Sequence, residues 1–233
     1  MSKEEIYPLN HGKPWSTELK KNLMDLYHKG HDLDSLARKF KRTSLSVELT
    51  IRKIKISNFL KERKIEKLIH FTDLRNLESI KKYGLLPVER LKKKKIKYFF
   101  NDKNRLDNQL GGISLSVTKR NDHLLKAFDN REKRDWVEIE LDPEVASTRN
   151  CFFYFTNAAN AVFKNTSNEK LSSFEYLELM FNEYITPHPN SPRSKTYTRT
   201  YKKINETTDE QAEIIANWIV PKTKILKINK INV

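Results

Sequence analysis

Residues 1–57 have apolar side chains three and four positions apart, which is the spacing of amphipathic helices. Ser16 is suited to cap a first helix, and Gly30 is suited to end it. The apolar positions of this helix are Leu19, Leu23, Leu26 and Tyr27. A second helix is predicted from Leu33 to Phe40, and a third begins near Ser44. Three helices with a tight turn between the last two predict a helix-turn-helix.

This helical segment, from Pro14 to Ile54, resembles Myb-like and related helix-turn-helix modules. Those modules begin with Pro-Trp-Ser/Thr and contain Leu-Ala-x-x-Phe before an Arg-Thr turn, as this chain does. Residues 1–57 carry 12 Lys and Arg against 7 Asp and Glu. Arg42, at the start of the third helix, and Arg52, near its end, are predicted to contact nucleic acid. The alternative is a module for protein docking or dimerisation.

Residues 58–233 combine strand and helix patterns, after a charged connector over 58–66. The alternation Trp-Val-Glu-Ile-Glu-Leu over 136–141 is typical of a half-buried strand. The pattern predicts further strands over 67–72, 113–117, 213–220 and 224–230, helices over 73–83 and 174–184, and a loop over 186–203. This mixture predicts an α+β domain over 58–233.

The chain of 233 residues has a formal net charge of +15, which favours a polyanionic partner. The alternative is a basic protein from a lysine-rich proteome. No apolar run approaches the roughly 20 residues that span a bilayer, and no signal peptide is recognisable at the start. Cys151 is the single cysteine, so we expect no internal disulfide, no zinc cluster and a cytoplasmic location.

Three separated segments carry side chains suited to chemistry. They are His70-Phe71-Thr72 followed by Asn76, the stretch 100–107 with Arg105, and Gln211-Ala212-Glu213. Each has an ordinary structural explanation when taken alone. Glycine-rich phosphate loops, metal-binding spacings and a serine nucleophile elbow are absent from the sequence.

In this order, these segments resemble the DarT family of nucleic-acid ADP-ribosyltransferases, from about Leu68 to Ile228. The resemblance also includes Ile-Ser-Leu-Ser-Val over 113–117 and Phe-Thr-Asn-Ala-Ala over 155–159. It implies a split β-sheet core with flanking helices, as in other ADP-ribosyltransferases. The pattern is closer to the branch described as modifying guanine than to the thymine branch.

The resemblance also implies roles for individual residues, with NAD⁺ as the ADP-ribose donor and no metal. Glu213 would stabilise the positive charge that grows on the ribose, and would orient or deprotonate the acceptor base. His70 would hold the adenosine ribose, Thr72 the nicotinamide half, and Arg105 the pyrophosphate. The remaining residues expected to line the dinucleotide pocket are Asn76, Leu85 through its backbone, Ser116 and Asn121.

The predicted loop over 186–203 contains basic and aromatic residues but no Asp or Glu. Basic groups follow phosphates and aromatic rings stack on unpaired bases, so the loop is predicted to bind single-stranded nucleic acid. The residues concerned are Arg193, Lys195, Tyr197, Arg199 and Tyr201. An ordinary flexible loop is the alternative.

The function predicted from these features is mono-ADP-ribosylation of a base, with guanine favoured, in single-stranded DNA. By family resemblance the protein would be a toxin or anti-phage effector, held in check by an antitoxin that hydrolyses the modification or binds the enzyme. RNA as the acceptor, a protein-directed or RNA 2′-phosphate-directed transferase, and a non-catalytic DNA-binding regulator with a nucleotide-sensing domain remain alternatives.

Overall fold

The computed structural model describes residues 7–99, 111–131, 133–187 and 195–231. The chain divides into two units, Met1–Asn58 and Phe59–Val233. The first is helical, and the second combines a sheet with short helices. Within the described ranges, no helix is both long enough and apolar enough to cross a membrane.

The helical unit contains α1 (Thr17–His28), α2 (Leu33–Phe40) and the part of α3 (Ser44–Glu62) that precedes Phe59. Ser16 caps α1 as predicted, because its hydroxyl oxygen accepts the Leu19 N–H. Asp32 caps α2 in the same way through the Ser35 N–H. The apolar faces meet in a core of Leu23, Leu36, Ala37, Phe40, Val47 and Ile51. The first part of the connector predicted over 58–66 is helical, because α3 continues to Glu62.

Arg42 belongs to the interior of this unit, with only 6% of its surface exposed. Its guanidinium donates hydrogen bonds to the carbonyl oxygens of Lys13 and Pro14 and stacks 4.5 Å from the Trp15 ring centroid. The nucleic-acid contact predicted for Arg42 is therefore corrected. Its guanidinium links the segment before α1 to the turn before α3. A phosphate has little access to the guanidinium in this position.

The second unit contains eight strands and five short helices within the described residues. The strands are β1 (Leu68–Asp73), β2 (Ile113–Val117), β3 (Trp136–Leu141), β4 (Cys151–Tyr154), β5 (Tyr184–Ile185), β6 (Tyr197–Thr198), β7 (Glu213–Ala216) and β8 (Ile225–Ile231). The helices are α4 (Leu77–Tyr83), α5 (Val88–Lys93), α6 (Asp122–Arg131), α7 (Asn168–Leu171) and α8 (Phe174–Leu179). Six strands form one sheet in the order β4-β7-β2-β1-β3-β8, and every neighbouring pair is antiparallel.

The central pair of strands, β1 and β2, stays together for only part of its length. Leu68 pairs with Val117 and Ile69 with Ser116, whereas β1 pairs with β3 along all six of its residues. Beyond Ile69 the two strands separate, and β2 continues its pairing with β7. The sheet is therefore split between β1 and β2, and the predicted α+β class with a split sheet and flanking helices is confirmed.

Alternation of side chains explains which face of the sheet each strand buries. In β3, Val137, Ile139 and Leu141 are buried on one face, and Glu138 and Glu140 are half-buried on the other. Trp136 shares the face of the two glutamates and is buried. A cluster of Phe71, Leu125, Phe128 and Trp136 packs α6 against β1 and β3.

Two predicted elements end earlier than their sequence patterns indicate. The helix predicted over 174–184 ends at Leu179, because Tyr184 and Ile185 pair with β6. The strand predicted over 213–220 ends at Ala216, and Val220 forms only an isolated bridge with Leu85. Gly84 makes that bridge possible: its φ is +78°, and a Cβ there would lie 2.2 Å from the Val220 carbonyl oxygen.

Candidate active site

A cleft opens where β1 and β2 separate. Seven of the eight residues that the sequence assigned to NAD⁺ binding or catalysis line it: His70, Thr72, Asn76, Leu85, Ser116, Asn121 and Glu213. The eighth, Arg105, lies outside the described residues. Residues separated by more than 140 positions in sequence thus share one surface, because β1 and β7, which carry them, lie on either side of β2.

Glu213 is the first residue of β7 and is half-buried. The Ser114 hydroxyl donates to its Oε2, and the Ala158 N–H donates to its Oε1 at 2.8 Å. Both partners are donors, so both carboxylate oxygens are held as acceptors. The carboxylate is fixed in orientation before any substrate arrives, which is the preorganisation that electrostatic catalysis needs.

The sequence interpretation missed both partners of Glu213. Ser114 lies two positions before Ser116 on β2, so the two hydroxyls share one face of the strand. That spacing could have identified Ser114 once Ser116 had been selected. Ala158 contributes only its backbone, and no side-chain pattern identifies such a donor.

His70 lies on β1 across the split from β2. Its Nδ1 is 2.9 Å from the Ser114 carbonyl oxygen. A carbonyl only accepts, so Nδ1 is the donor of this hydrogen bond. Ser114 therefore contacts His70 through its backbone and Glu213 through its side chain.

Asn76 is buried and uses its carboxamide within the protein. Its Nδ2 donates to Thr72 Oγ1 and to the Phe99 carbonyl oxygen, both at 2.9 Å. Its Oδ1 accepts the Phe99 N–H at 2.9 Å, and the Arg75 guanidinium stacks 3.8 Å from the Phe99 ring centroid. Asn76 thus fixes the main chain at Phe99, which lines the cleft immediately before the segment that contains Arg105.

Leu85 lines the cleft, but its backbone is already engaged. Its N–H donates to the Val220 carbonyl oxygen, and its carbonyl accepts the Val220 N–H, both at 2.9 Å. The predicted backbone contact between Leu85 and the dinucleotide stays a prediction, because the Leu85 carbonyl oxygen keeps a second lone pair. The buried side chain of Leu85 remains as an apolar part of the cleft wall.

Ser116 and Asn121 supply polar groups suited to a dinucleotide. The Asn121 Oδ1 accepts the Leu124 N–H and so caps α6, which fixes the carboxamide. Within the described ranges, the Asn121 Nδ2 and the Ser116 hydroxyl have no hydrogen-bond partner, although both residues are 9% exposed and line the cleft. Ribose and phosphate oxygens are acceptors that would satisfy them. The residues present therefore fit NAD⁺.

A comparison with protein families agrees with this geometry. A family model described as DarT, ssDNA thymidine ADP-ribosyltransferase, matches residues 69–232, more than two thirds of the chain. This chain belongs to the DarT family. It is accordingly an NAD-dependent ADP-ribosyltransferase, and the family acts on single-stranded DNA. The match excludes the helical unit, whose Myb-like resemblance stays a prediction. No curated protein shows significant similarity to the chain.

The segment before the candidate catalytic glutamate of this DarT domain is more ordered than predicted. Tyr197 and Thr198 form β6, and the Lys195 ammonium lies 5.2 Å from the Tyr197 ring centroid. Burial, followed by the charge of Asp209, raises the pKa of the Tyr197 hydroxyl. Tyr201 is 97% exposed, whereas Arg193 lies outside the described residues.

Arg199 stabilises this segment from within. Its guanidinium donates to the carbonyl oxygens of Lys203 at 2.8 Å and Glu206 at 2.6 Å, and lies 5.6 Å from the Phe181 ring centroid. Burial lowers the pKa of Arg199, and Glu183 and Glu206 oppose that effect. The nucleic-acid contact predicted for Arg199 stays a prediction beside this internal role. Arg52, on α3, is half-buried and interacts within the chain.

Four consecutive polar residues, 206–209, are buried just before β7. The Lys119 ammonium lies 2.8 Å from Glu206, and the Thr208 hydroxyl donates to the Asn182 carbonyl oxygen at 2.6 Å. These contacts fix the path of the chain into Glu213. Across the described residues, no group of three His, Cys, Asp or Glu side chains could hold a metal ion.

Proposed function

We propose that Glu213 is the catalytic carboxylate with which this DarT family member transfers ADP-ribose from NAD⁺ to a base of single-stranded DNA. The observation that carries the proposal is the placement of Glu213. Its two oxygens are held by Ser114 and Ala158, in the same cleft as His70. NAD⁺ supplies the ADP-ribosyl group when the bond between nicotinamide and ribose breaks.

Each step of the transfer has a residue suited to it. The Glu213 carboxylate opposes the positive charge that develops on the ribose as neutral nicotinamide leaves. A nitrogen of the acceptor base then bonds to the ribose carbon, and Glu213 accepts the proton that the base loses. His70 binds a ribose hydroxyl, Thr72 contacts the nicotinamide half, and Ser116 and Asn121 line the pocket.

Arg105 is proposed to bind the pyrophosphate or to hold the reactive geometry. The family resemblance supports this role, and so does its position in the sequence six residues after Phe99. Phe99 is held at the cleft by two hydrogen bonds with Asn76. A planar guanidinium is suited to phosphate oxygens.

The exposed part of the segment before β7 is proposed to bind the DNA strand. Lys195 and Tyr201 are exposed, and together they offer a positive charge and an aromatic face for an unpaired base. An enzyme that modifies a base needs that base outside the duplex stack, which favours single strands. The helical unit is proposed to add a second nucleic-acid contact through basic residues such as Arg52.

Two bases are candidate acceptors. The sequence pattern resembles the branch that modifies guanine, whereas the description of the matching family names thymidine. We retain guanine as the first candidate and thymine as the second. Oligonucleotides that differ only in one guanine or one thymine distinguish them, because transfer follows the base that reacts.

A toxin or anti-phage role is proposed from the chemistry. An ADP-ribosylated template base would block replication in the cytoplasm that contains the enzyme. An antitoxin that hydrolyses the modification or binds the enzyme would be needed by its host. Induced expression of the wild-type chain should therefore arrest growth, and expression of Glu213→Ala should not.

The experiment that tests the activity uses labelled NAD⁺ with single-stranded DNA, duplex DNA, RNA or protein as acceptor. We expect label on single-stranded DNA and a loss of at least ~100-fold in Glu213→Ala. Glu169→Ala removes an exposed carboxylate and serves as the matched control. A folded Glu213→Ala variant with undiminished turnover would exclude Glu213 from catalysis. Label on RNA alone or on protein alone would mean that this molecule, and not single-stranded DNA, is the acceptor. Tight duplex binding without transfer would favour a non-catalytic regulator.

A further inference from the structure

Two arginines of the second unit contact the same aromatic ring. The guanidinium carbons of Arg63 and Arg199 lie 4.6 Å and 5.6 Å from the ring centroid of Phe181. Arg63 follows α3 directly and also lies 4.9 Å from the ring centroid of Phe59. Two positive charges are thus held near one another on an apolar support.

Neither guanidinium forms an ion pair in the described part of the chain. Glu178 attracts Arg63 only at longer range, and Glu183 and Glu206 attract Arg199 in the same way. Burial, followed by the charge of Arg199, lowers the pKa of Arg63. Like charges that are partly removed from water create a local positive potential, which is favourable for an anion.

Arg199 and Arg63 differ in how much hydrogen-bonding capacity they have left. Arg199 donates to Lys203, Glu206 and Thr208. Within the described residues, the Arg63 guanidinium makes one hydrogen bond, a long one of 3.4 Å to the Ile204 carbonyl oxygen. A guanidinium has five N–H donors, so Arg63 is the member of the pair with donors to spare for a phosphate.

The surroundings of Arg63 indicate which anion it would bind. Arg63 contacts the loop over 199–208, whose exposed residues include Tyr201 and Lys203. A weak hydrogen bond from Asn205 to the Lys64 carbonyl oxygen, at 3.4 Å, holds the same loop, and Lys64 is exposed. Basic groups beside an exposed aromatic ring are typical of surfaces that bind single strands.

We infer that Arg63, supported by Phe181 and flanked by Lys64 and Lys203, binds a backbone phosphate of the single-stranded DNA acceptor. This subsite rests on the proposed function and extends it to a residue before the segment 69–232 that matches the family. Arg199 acts as the positioning residue of the loop, and Arg63 supplies the contact with the strand.

The test compares full-length Arg63→Gln with the wild-type chain in binding a labelled single-stranded oligonucleotide across a range of salt concentrations. Loss of one phosphate contact should make the slope of log affinity against log salt shallower by about 0.7. Lys230→Gln removes one exposed charge from β8, at the edge of the sheet remote from β7, and should retain the wild-type slope. Arg63→Lys keeps the charge and should also retain it.

The outcomes separate this inference from the proposed function. An unchanged slope in Arg63→Gln would overturn the subsite, and so would an Arg63→Lys variant that behaves like Arg63→Gln, which would indicate a packing role alone. Hydrolysis of NAD⁺ without DNA should be equal in Arg63→Gln and the wild type, because Arg63 does not line the cleft. Failure of the wild type to modify any single strand would instead contradict the proposed function.

Discussion

Ser114 and Glu213 are 99 residues apart in sequence and are joined by a hydrogen bond from the serine hydroxyl to Oε2 of the glutamate. The carbonyl of the same serine accepts the Nδ1–H of His70 at 2.9 Å. One residue of β2 therefore sets the positions of the proposed catalytic carboxylate and of the proposed ribose-binding histidine. Because the contacts use different atoms, a side-chain substitution can disturb one without removing the other.

Ser114→Ala should lower kcat for ADP-ribose transfer by about 10- to 100-fold and leave the KM for NAD⁺ within about twofold. The Glu213 carboxylate would lose the hydroxyl donor at Oε2 and could rotate away from the reacting ribose. Steady-state kinetics at saturating DNA measure both constants. Ser114→Thr retains the hydroxyl and should recover part of the rate. An alanine variant with wild-type kcat would contradict a positioning role for Ser114.

Ser116→Ala should have the opposite pattern, with the KM for NAD⁺ raised about fivefold and kcat retained. Its hydroxyl lines the cleft without contacting Glu213, so it would contribute one hydrogen bond of about 1 kcal/mol to both the bound substrate and the transition state. The same kinetic measurements provide the test. A change confined to kcat would assign Ser116 to the reacting centre.

Arg42→Ala should reduce the stability of the helical unit by about 2 kcal/mol. The substitution leaves the carbonyl oxygens of Lys13 and Pro14 without their donor and removes the stacking on Trp15. Hydrogen exchange of peptides from residues 7–58 in the full chain measures the loss. Lys39→Ala removes an exposed charge from α2 and serves as the control. Equal protection in the two variants would show that Arg42 is dispensable for this unit.

The Glu206–Lys119 pair should make the stability of the second unit depend on pH. The hydrogen bond from Lys119 lowers the pKa of the buried Glu206 carboxyl, and burial opposes it. A pKa that is lower in the folded chain than in the unfolded chain stabilises the fold at neutral pH. That contribution is lost as the pH falls through the folded pKa.

Glu206→Gln should consequently be less stable than the wild type at pH 7, and the difference should narrow as the pH approaches 3. Thermal unfolding followed by circular dichroism between pH 3 and pH 8 measures this difference. Lys119→Gln removes the partner and should show the same narrowing. A difference in Tm that stays constant over the range would mean that the pair does not contribute through its charge.

Local patterns predicted the elements whose side chains alternate or repeat regularly. The bounds of β2, β3 and α2 agree with those predicted, because each has a regular apolar period and a clear end. The short elements β4, β6, α5, α6 and α7 were missed. In β4, Cys-Phe-Phe-Tyr has no alternation of apolar and polar residues, and its pairing with β7 comes from a distant part of the chain.

Most of the proposed site could also be predicted. Side chains such as His70, Ser116, Asn121 and Glu213 belong to motifs that the family resemblance identifies, and all of them line the cleft. The roles of groups that act through the backbone could not be predicted. Ala158, whose backbone N–H donates to Oε1 of Glu213, has no side-chain signal in the sequence.

By itself, the sequence determined the helical start of the chain and the α+β class of the remainder, because periodicity is a local property of the chain. Its resemblance to a family identified several of the residues that line the cleft. Only the tertiary structure decided that Arg42 and Arg199 act inside the protein and that Ser114 connects His70 with Glu213. Burial and hydrogen-bond partners depend on which distant strands and loops become neighbours, and a charged or polar side chain looks the same in sequence whether it meets solvent or a carbonyl.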